Sequence, residues 1–137
     1  MSRSASFDFQ GMQAQGNNVG LQLYVLMMTP LPLASAAEGT AATEGPSPLE
    51  IHYAYIHDLI EQGKVLLIGP CMDEPVTPGY APVPPGIGIL TVSSREEAEE
   101  IARKEPFGAM GWRRNTVTAW TPKFGSLIPT LISTIGG

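Results

Sequence analysis

The spacing of apolar positions switches between strand and helix periods along this chain, and the switches mark out its elements. Residues 21–28 form a nearly unbroken apolar run between Gly20 and Pro30, the pattern of a strand covered on both faces. Ser47-Pro48 supplies an N-cap residue with proline at the first helical position. From there, at about 100° per residue, Leu49, His52, Tyr53, Ile56, Leu59 and Ile60 share one arc, and Asp58, Glu61 and Gln62 lie outside it. Gly63 suits the left-handed turn that ends such a helix, and residues 65–68 follow as a short buried strand stopped by Gly69-Pro70. Residues 71–85 hold five prolines and read as a structured loop. Residues 87–92 resume a strand, with Gly86 and Gly88 where another group comes close to the backbone. Ser94 and Glu97 make a capping box for a second helix, whose buried face is Ala98, Ile101 and Ala102. Glu105 projects from that same face in the last turn, before Pro106 stops the helix. Residues 115–120 alternate as a fourth strand.

The remaining stretches lack a period. Residues 1–20 are rich in Ser, Gln, Asn and Gly and read as a flexible arm outside the fold, residues 30–48 as a long surface loop, and residues 123–137 as an apolar tail broken by Pro and Gly. The domain proper is therefore expected over residues 21–122. Its order is strand, helix, strand, strand, helix, strand, two βαβ halves that form an α+β, ferredoxin-like fold with a four-stranded antiparallel sheet. The two helices then run antiparallel on one face. The start of the first and the end of the second share a rim, which brings His52 and Glu105 together on the buried side.

Composition narrows the function without deciding it. At 137 residues and 43% hydrophobic, the chain suits one core-bearing domain. A net charge of -5 with only eight Lys and Arg leaves no basic face for a nucleic acid. The apolar stretch over residues 21–33 and Ala34-Ser35-Ala36 imitate a secretory signal, but Asp8 cancels Arg3 ahead of it and Pro30 and Pro32 interrupt it, so neither export nor a membrane span is expected. A single cysteine, Cys71, fits a reducing, cytoplasmic setting, and with no basic neighbour it reads as an inert thiol.

A carboxylate beside an imidazole fixes its tautomer and leaves the second ring nitrogen to exchange a proton with a ligand, which is general acid/base chemistry. The same pair serves equally as a structural hydrogen bond between two buried polar groups. Arg113 and Arg114, near the same rim, are candidates to hold an anionic or enolate oxygen, or form a solvated pair flanking a strand. Met28, Trp112 and Phe107 line an apolar pocket or are plain core. His57 points away from the buried face, and its spacing from His52 supplies no metal-ligand set.

The run His52-x-x-x-Ile56-x-x-Leu59-x-Glu61-Gln62-Gly63-Lys64-Val65-Leu66-Leu67-x-Gly69-Pro70, the cap Ser94-x-Glu96-Glu97-Ala98, and Glu105-Pro106-Phe107-x-x-x-Gly111 together resemble a YciI-related protein over residues 21–122. The resemblance implies a dimeric α/β barrel, in which the sheets of two ferredoxin-like protomers pack together, with a His and Asp dyad in each pocket. His52 matches the family histidine. Where the family has Asp-Pro-Phe or Asp-Pro-Tyr, this chain has Glu105-Pro106-Phe107, which keeps the charge and shifts its reach by one methylene. A branch similar to this family removes HCl from chlorinated hydroxyquinones, and the wider superfamily includes muconolactone isomerases, oxygenases and polyketide cyclases. The resemblance thus implies a homodimeric lyase, isomerase or cyclase acting on a small cyclic, aromatic or polyketide-like metabolite without metal or organic cofactor. In it His52 moves the proton and Glu105 orients His52. The competing expectations are a non-catalytic binding or accessory protein of the same fold, and an assembly module that uses the apolar ends of the chain.

Overall fold

The computed structural model describes residues 7–17, 19–33, 45–73 and 75–136; residues 1–6 of the expected arm and residues 34–44 of the expected surface loop lie outside the described residues. The chain divides into two compact units, Leu23–Trp120 and the terminal segments Met1–Gln22 with Thr121–Gly137.

The larger unit is an α+β domain of ferredoxin-like topology. Its strands β1 (Leu23–Pro30), β2 (Val65–Pro70), β3 (Gly86–Leu90) and β4 (Arg113–Trp120) form an antiparallel sheet in the order β2-β3-β1-β4. Helices α2 (Pro48–Glu61) and α3 (Arg95–Lys104) cover one face, and a single turn of helix, α4 (Pro106–Ala109), follows α3 directly. The core lies between sheet and helices: Tyr24, Leu26 and Met28 of β1 and Leu90 of β3 meet Ile56 and Leu59 of α2 and Ala98, Ile101 and Ala102 of α3. Leu26 and Leu90, both essentially fully buried, contribute about 1.5–3 kcal/mol each.

Strand β1 starts and ends two residues later than its apolar run suggests, because pairing and not hydropathy sets its bounds. Thr29 pairs with Arg114 and Pro30 with Arg113, and the ladder ends where Leu31 N–H donates to Trp112 O. The expectation that β1 is covered on both faces is not met. Tyr24, Leu26 and Met28 are buried beneath the helices, but Met27 is 39% exposed on the other face, beside Ile87 at 40% and Leu67 at 65%. That face is exposed at these three positions, although Leu23, on the same side of β1, is buried. The close approaches expected at Gly86 and Gly88 do occur, made by side chains: a Cβ on Gly86 would lie 2.8 Å from Met28 Cε, and one on Gly88 3.1 Å from Ile68 Cδ1.

Helix α2 begins with a full capping box that the Ser-Pro reading did not include. Glu50 N–H donates to Ser47 Oγ at 3.2 Å, and Ser47 N–H donates to Glu50 Oε1 at 2.9 Å. Replacing Ser47 with alanine is expected to lower stability by about 1 kcal/mol, read as a shift in urea midpoint at unchanged slope. Gly63, at φ +73°, ends the helix as expected. The predicted core arc of α2 is too wide. His52, Ile56 and Leu59 are buried, whereas Leu49, Tyr53 and Ile60 are exposed, because α2 packs on the edge strand β2 and against α4, which leaves that flank without sheet beneath it. Tyr55, half-buried, instead ties α2 to α3 through its hydroxyl, which donates to Ile101 O at 3.1 Å.

At α3 the expected capping box is only half formed. Glu97 N–H donates to Ser94 Oγ at 3.1 Å, but the Glu97 carboxylate turns to Lys64 Nζ at 3.0 Å and accepts long contacts from Ser93 N–H and Ser93 Oγ, at 3.4 and 3.5 Å, in place of the N-cap N–H.

In the terminal unit, helix α1 (Phe9–Asn17) stands where the aperiodic reading expected no fold element. The reason is its entry cap and lack of a stripe: Asp8 Oδ1 accepts the Gly11 N–H at 3.0 Å, and only Gly16 of the helix is buried, so no amphipathic period betrays it. A Cβ on Gly16 would lie 2.5 Å from Phe124, so that ring sits directly on the helix backbone. The tail is likewise not without structure. Helix α5 (Ile128–Leu131) runs into a π-helical turn, Ile132–Gly136, and Ile128, Leu131 and Ile135 pack with Val19 and Leu21. Among the described residues no helix is long and apolar enough to cross a membrane.

Candidate functional site

His52 enters the site from the start of the second turn of α2, on the buried stripe. Glu105 enters from the junction of α3 and α4, and not from the last turn of α3 as its spacing suggests. A residue before proline is driven out of the α region. Glu105 accordingly adopts φ -59° and ψ 128°, ends α3 after Lys104, and becomes the N-cap of α4, with Pro106 at the first helical position. This turn aims the carboxylate inward, and Glu105 is completely buried.

Four donors meet that carboxylate. Oε2 accepts Phe107 N–H at 2.9 Å and lies 2.6 Å from His52 Nδ1; Oε1 accepts Gly108 N–H at 3.0 Å and Asn115 Nδ2 at 2.8 Å. Burial pushes the Glu105 carboxyl up, but the hydrogen bonds from His52, Asn115 and Phe107 outweigh it and hold the group below the usual carboxylate range. An ionised carboxylate can only accept, so the nitrogen facing it carries the proton. His52 is therefore set as the Nδ1–H tautomer when neutral, with Nε2 left over.

The imidazole is also clamped by stacking. Its ring lies 4.5 Å from the Phe107 ring at 18°, and Phe107 stacks in turn on Trp112 at 5.5 Å and 10°. Beside His52 opens a cleft of about 440 Å³, lined by Met28, Ile56, Ile68, Val83, Phe107 and Arg113 among others, with the exposed Leu49 and Tyr53 on its wall. Of the residues expected around a pocket, Met28, Phe107 and Arg113 do line this cleft. Trp112 does not; it stands behind Phe107, packed with Met110 against Ala81 and Val83. The two arginines separate by strand alternation. Arg113 points to the helix side and is 6% exposed, and Arg114 is exposed on the open side.

Arg113 donates from Nε and Nη2 to Pro84 O, at 3.2 and 2.7 Å, while among the described residues Nη1 meets only Met28 Sδ, at 3.6 Å. Its Cζ lies 5.0 Å from the Phe107 ring centre. Burial pushes the guanidinium below its usual value, against the pull of Glu105 and Cys71.

Asn115 is the residue that sequence reasoning missed. Besides Glu105, its Nδ2 donates to Ala102 O at 3.0 Å, so it ties β4 to the end of α3. Gly108 permits this: a Cβ there would lie 2.4 Å from Asn115 Nδ2. The period of two counted from Arg113 places Asn115 on the same face, which is the signal that could have found it. His57 is exposed. Cys71 lies outside the cleft, on a neighbouring hollow of about 400 Å³ with Asp73, Thr77 and Tyr80. Among the described residues no group of three or more His, Cys, Asp or Glu side chains is placed to hold a metal ion.

Fold and site together define a ferredoxin-like α+β domain with a buried imidazole–carboxylate pair beside an apolar cleft. The chain belongs to the YCII-related family, whose domain matches residues 23–121. No curated protein matches it by sequence. Among solved structures, the 5-chloro-2-hydroxyhydroquinone dehydrochlorinase from Burkholderia phenoliruptrix AC1100, in complex with 2,5-dihydroxybenzoquinone, is similar at 14% identity and a TM-score of 0.47, over 75% of this chain and 95% of that one. At that distance the likeness transfers none of the neighbour's chemistry.

Proposed function

We propose that this domain is a small acid/base enzyme of lyase, isomerase or cyclase type that acts on a small cyclic, aromatic or polyketide-like metabolite. The observation that carries the reading is the 2.6 Å contact between His52 Nδ1 and the buried Glu105 carboxylate, beside a cleft that the same imidazole lines. Neutral His52 takes a proton from an acidic C–H or O–H of the ligand at Nε2. The imidazolium so formed is stabilised by Glu105, which stays ionised. The proton then returns to another atom of the ligand or to its leaving group, and the pair is reset. Met28, Phe107 and Arg113 hold the ligand, with Trp112 supporting Phe107 from behind. Proton transfer of this kind asks for no cofactor.

The test follows exchange of deuterium from D2O into a panel of cyclic ketones and hydroxylated aromatics by NMR. Wild-type protein is expected to catalyse exchange and the His52→Ala variant to lose it. Exchange undiminished in the variant overturns the dyad, and saturable binding without exchange in wild type assigns the cleft to a binding protein instead.

The open face of the sheet belongs to the same proposal. Met27, Leu67 and Ile87 present an apolar surface that a second copy would cover, giving the homodimeric barrel. Light scattering is expected to report a dimer for wild type and a monomer for Leu67→Lys combined with Ile87→Lys; a wild-type monomer at micromolar concentration removes the assembly. A reducing, cytoplasmic setting completes the proposal, resting on the single free thiol of Cys71.

A further inference from the structure

We infer that the cleft binds its ligand as an anion, a carboxylate or enolate carried on a flat apolar skeleton, with the Arg113 guanidinium as the counter-charge. This inference rests on the site proposed above but not on its turnover.

A guanidinium removed from water needs compensation, and planar carboxylates answer its donor fork with two parallel hydrogen bonds. Arg113 is buried, yet among the described residues no carboxylate pairs with it. Its protein partners are one carbonyl oxygen, Pro84 O, and a thioether, Met28 Sδ, which is a weak acceptor. Among the described residues Nη1 therefore has no strong acceptor, although it belongs to a residue that lines the cleft. Glu105 cannot fill the gap. Its two oxygens are already occupied by four donors.

Charge balance agrees for the state in which His52 holds the proton. Glu105 then faces both the imidazolium and the Arg113 guanidinium, which leaves one positive charge among the described residues of the site, and an enolate formed by the proton transfer, or a carboxylate bound to that state, cancels it. Position agrees as well, because the imidazole and the guanidinium flank the same ring, 4.5 and 5.0 Å from the centre of Phe107. A single-ring acid is therefore long enough to meet both groups, and the remaining walls, Ile56, Ile68, Val83 and Pro84, suit its apolar body.

Benzoate and benzamide differ in charge at nearly constant shape and serve as the probes. In the 15N spectrum the Arg113 Nε–H signal, assigned by its absence in Arg113→Lys, is expected to move saturably with benzoate. Benzamide is expected to bind about tenfold more weakly or worse. Arg113→Met should abolish the preference, and Arg113→Lys should keep part of it. If the methionine variant does not fold, the wild-type comparison and the lysine variant still decide. Equal affinity for the two probes, or an Arg113 signal unmoved by benzoate up to its solubility, overturns the inference. His52→Gln separates the two proposals. It should retain the preference for benzoate, so the anion site can stand where proton transfer fails, and proton transfer can stand where the anion site fails.

Discussion

Replacing Glu105 with alanine is expected to lower the stability of the domain by roughly 3–5 kcal/mol, the range found when one partner of a buried charged pair is removed. The variant strands His52 Nδ1, two backbone N–H groups of α4 and the Asn115 amide around a position that is fully buried. Against the 5–15 kcal/mol typical of a whole domain this is a large fraction. Urea denaturation reads the effect directly, and a loss within experimental error would remove the carboxylate from the role given to it. Glu105→Gln should fall between, since it keeps one acceptor and turns an amide toward donors. Glu105→Asp keeps charge and capping ability, and so should recover more than glutamine does.

The effect depends on pH with a definite sign. The folded carboxyl titrates below its ordinary value of 4.5, so its contribution is present above that value and fades as pH falls through the folded one. The stability gap between wild type and Glu105→Gln should therefore be constant near neutrality and narrow in acid, below about pH 4.5. A gap that widened in acid would contradict the hydrogen bonds assigned to Glu105.

The second large effect is on turnover. His52→Ala is expected to slow proton transfer by about 10²–10⁴-fold, the contribution of a positioned general acid/base. Its cost in stability is smaller, about 1–3 kcal/mol, because Glu105 keeps its three other donors. Free imidazole should restore part of the exchange by entering the space left against Phe107, whereas in Glu105→Ala it should restore none. That contrast separates a missing base from a missing support, and rescue of both variants alike would argue against the division of roles.

Much of this arrangement was legible in the sequence, through topology more than through motifs. The stop at Gly63 and the strand after it followed from local chemistry, and the antiparallel helices brought His52 and Glu105 to one rim. The rest depended on pairing and packing that one chain's periodicity does not encode. β1 ends at Pro30 because β4 starts at Arg113, and hydropathy is silent about such partners. Leu49, Tyr53 and Ile60 share the apolar arc of α2, but a stripe gives its direction and not the width of what covers it. Phe107 N–H and Gly108 N–H reach the carboxylate because Glu105 opens a new helix, which the helical period through Glu105 does not encode. Met27, the one apolar residue of β1 left exposed, is likewise read by hydropathy as buried.

The placement of one carboxylate at the hinge of α3 and α4 has a consequence for how relatives should be compared. Glu105 ends one helix, starts another and orients the imidazole, so selection for mere folding keeps an acid at this position even after catalysis has ceased to matter. His52 ends and caps no helix, and its structural share is limited to the hydrogen bond with Glu105 and the stacking on Phe107. Under the proposed function, a relative that retains the acid and has lost the histidine keeps the fold without the proton transfer, and retention of the acid alone does not mark turnover.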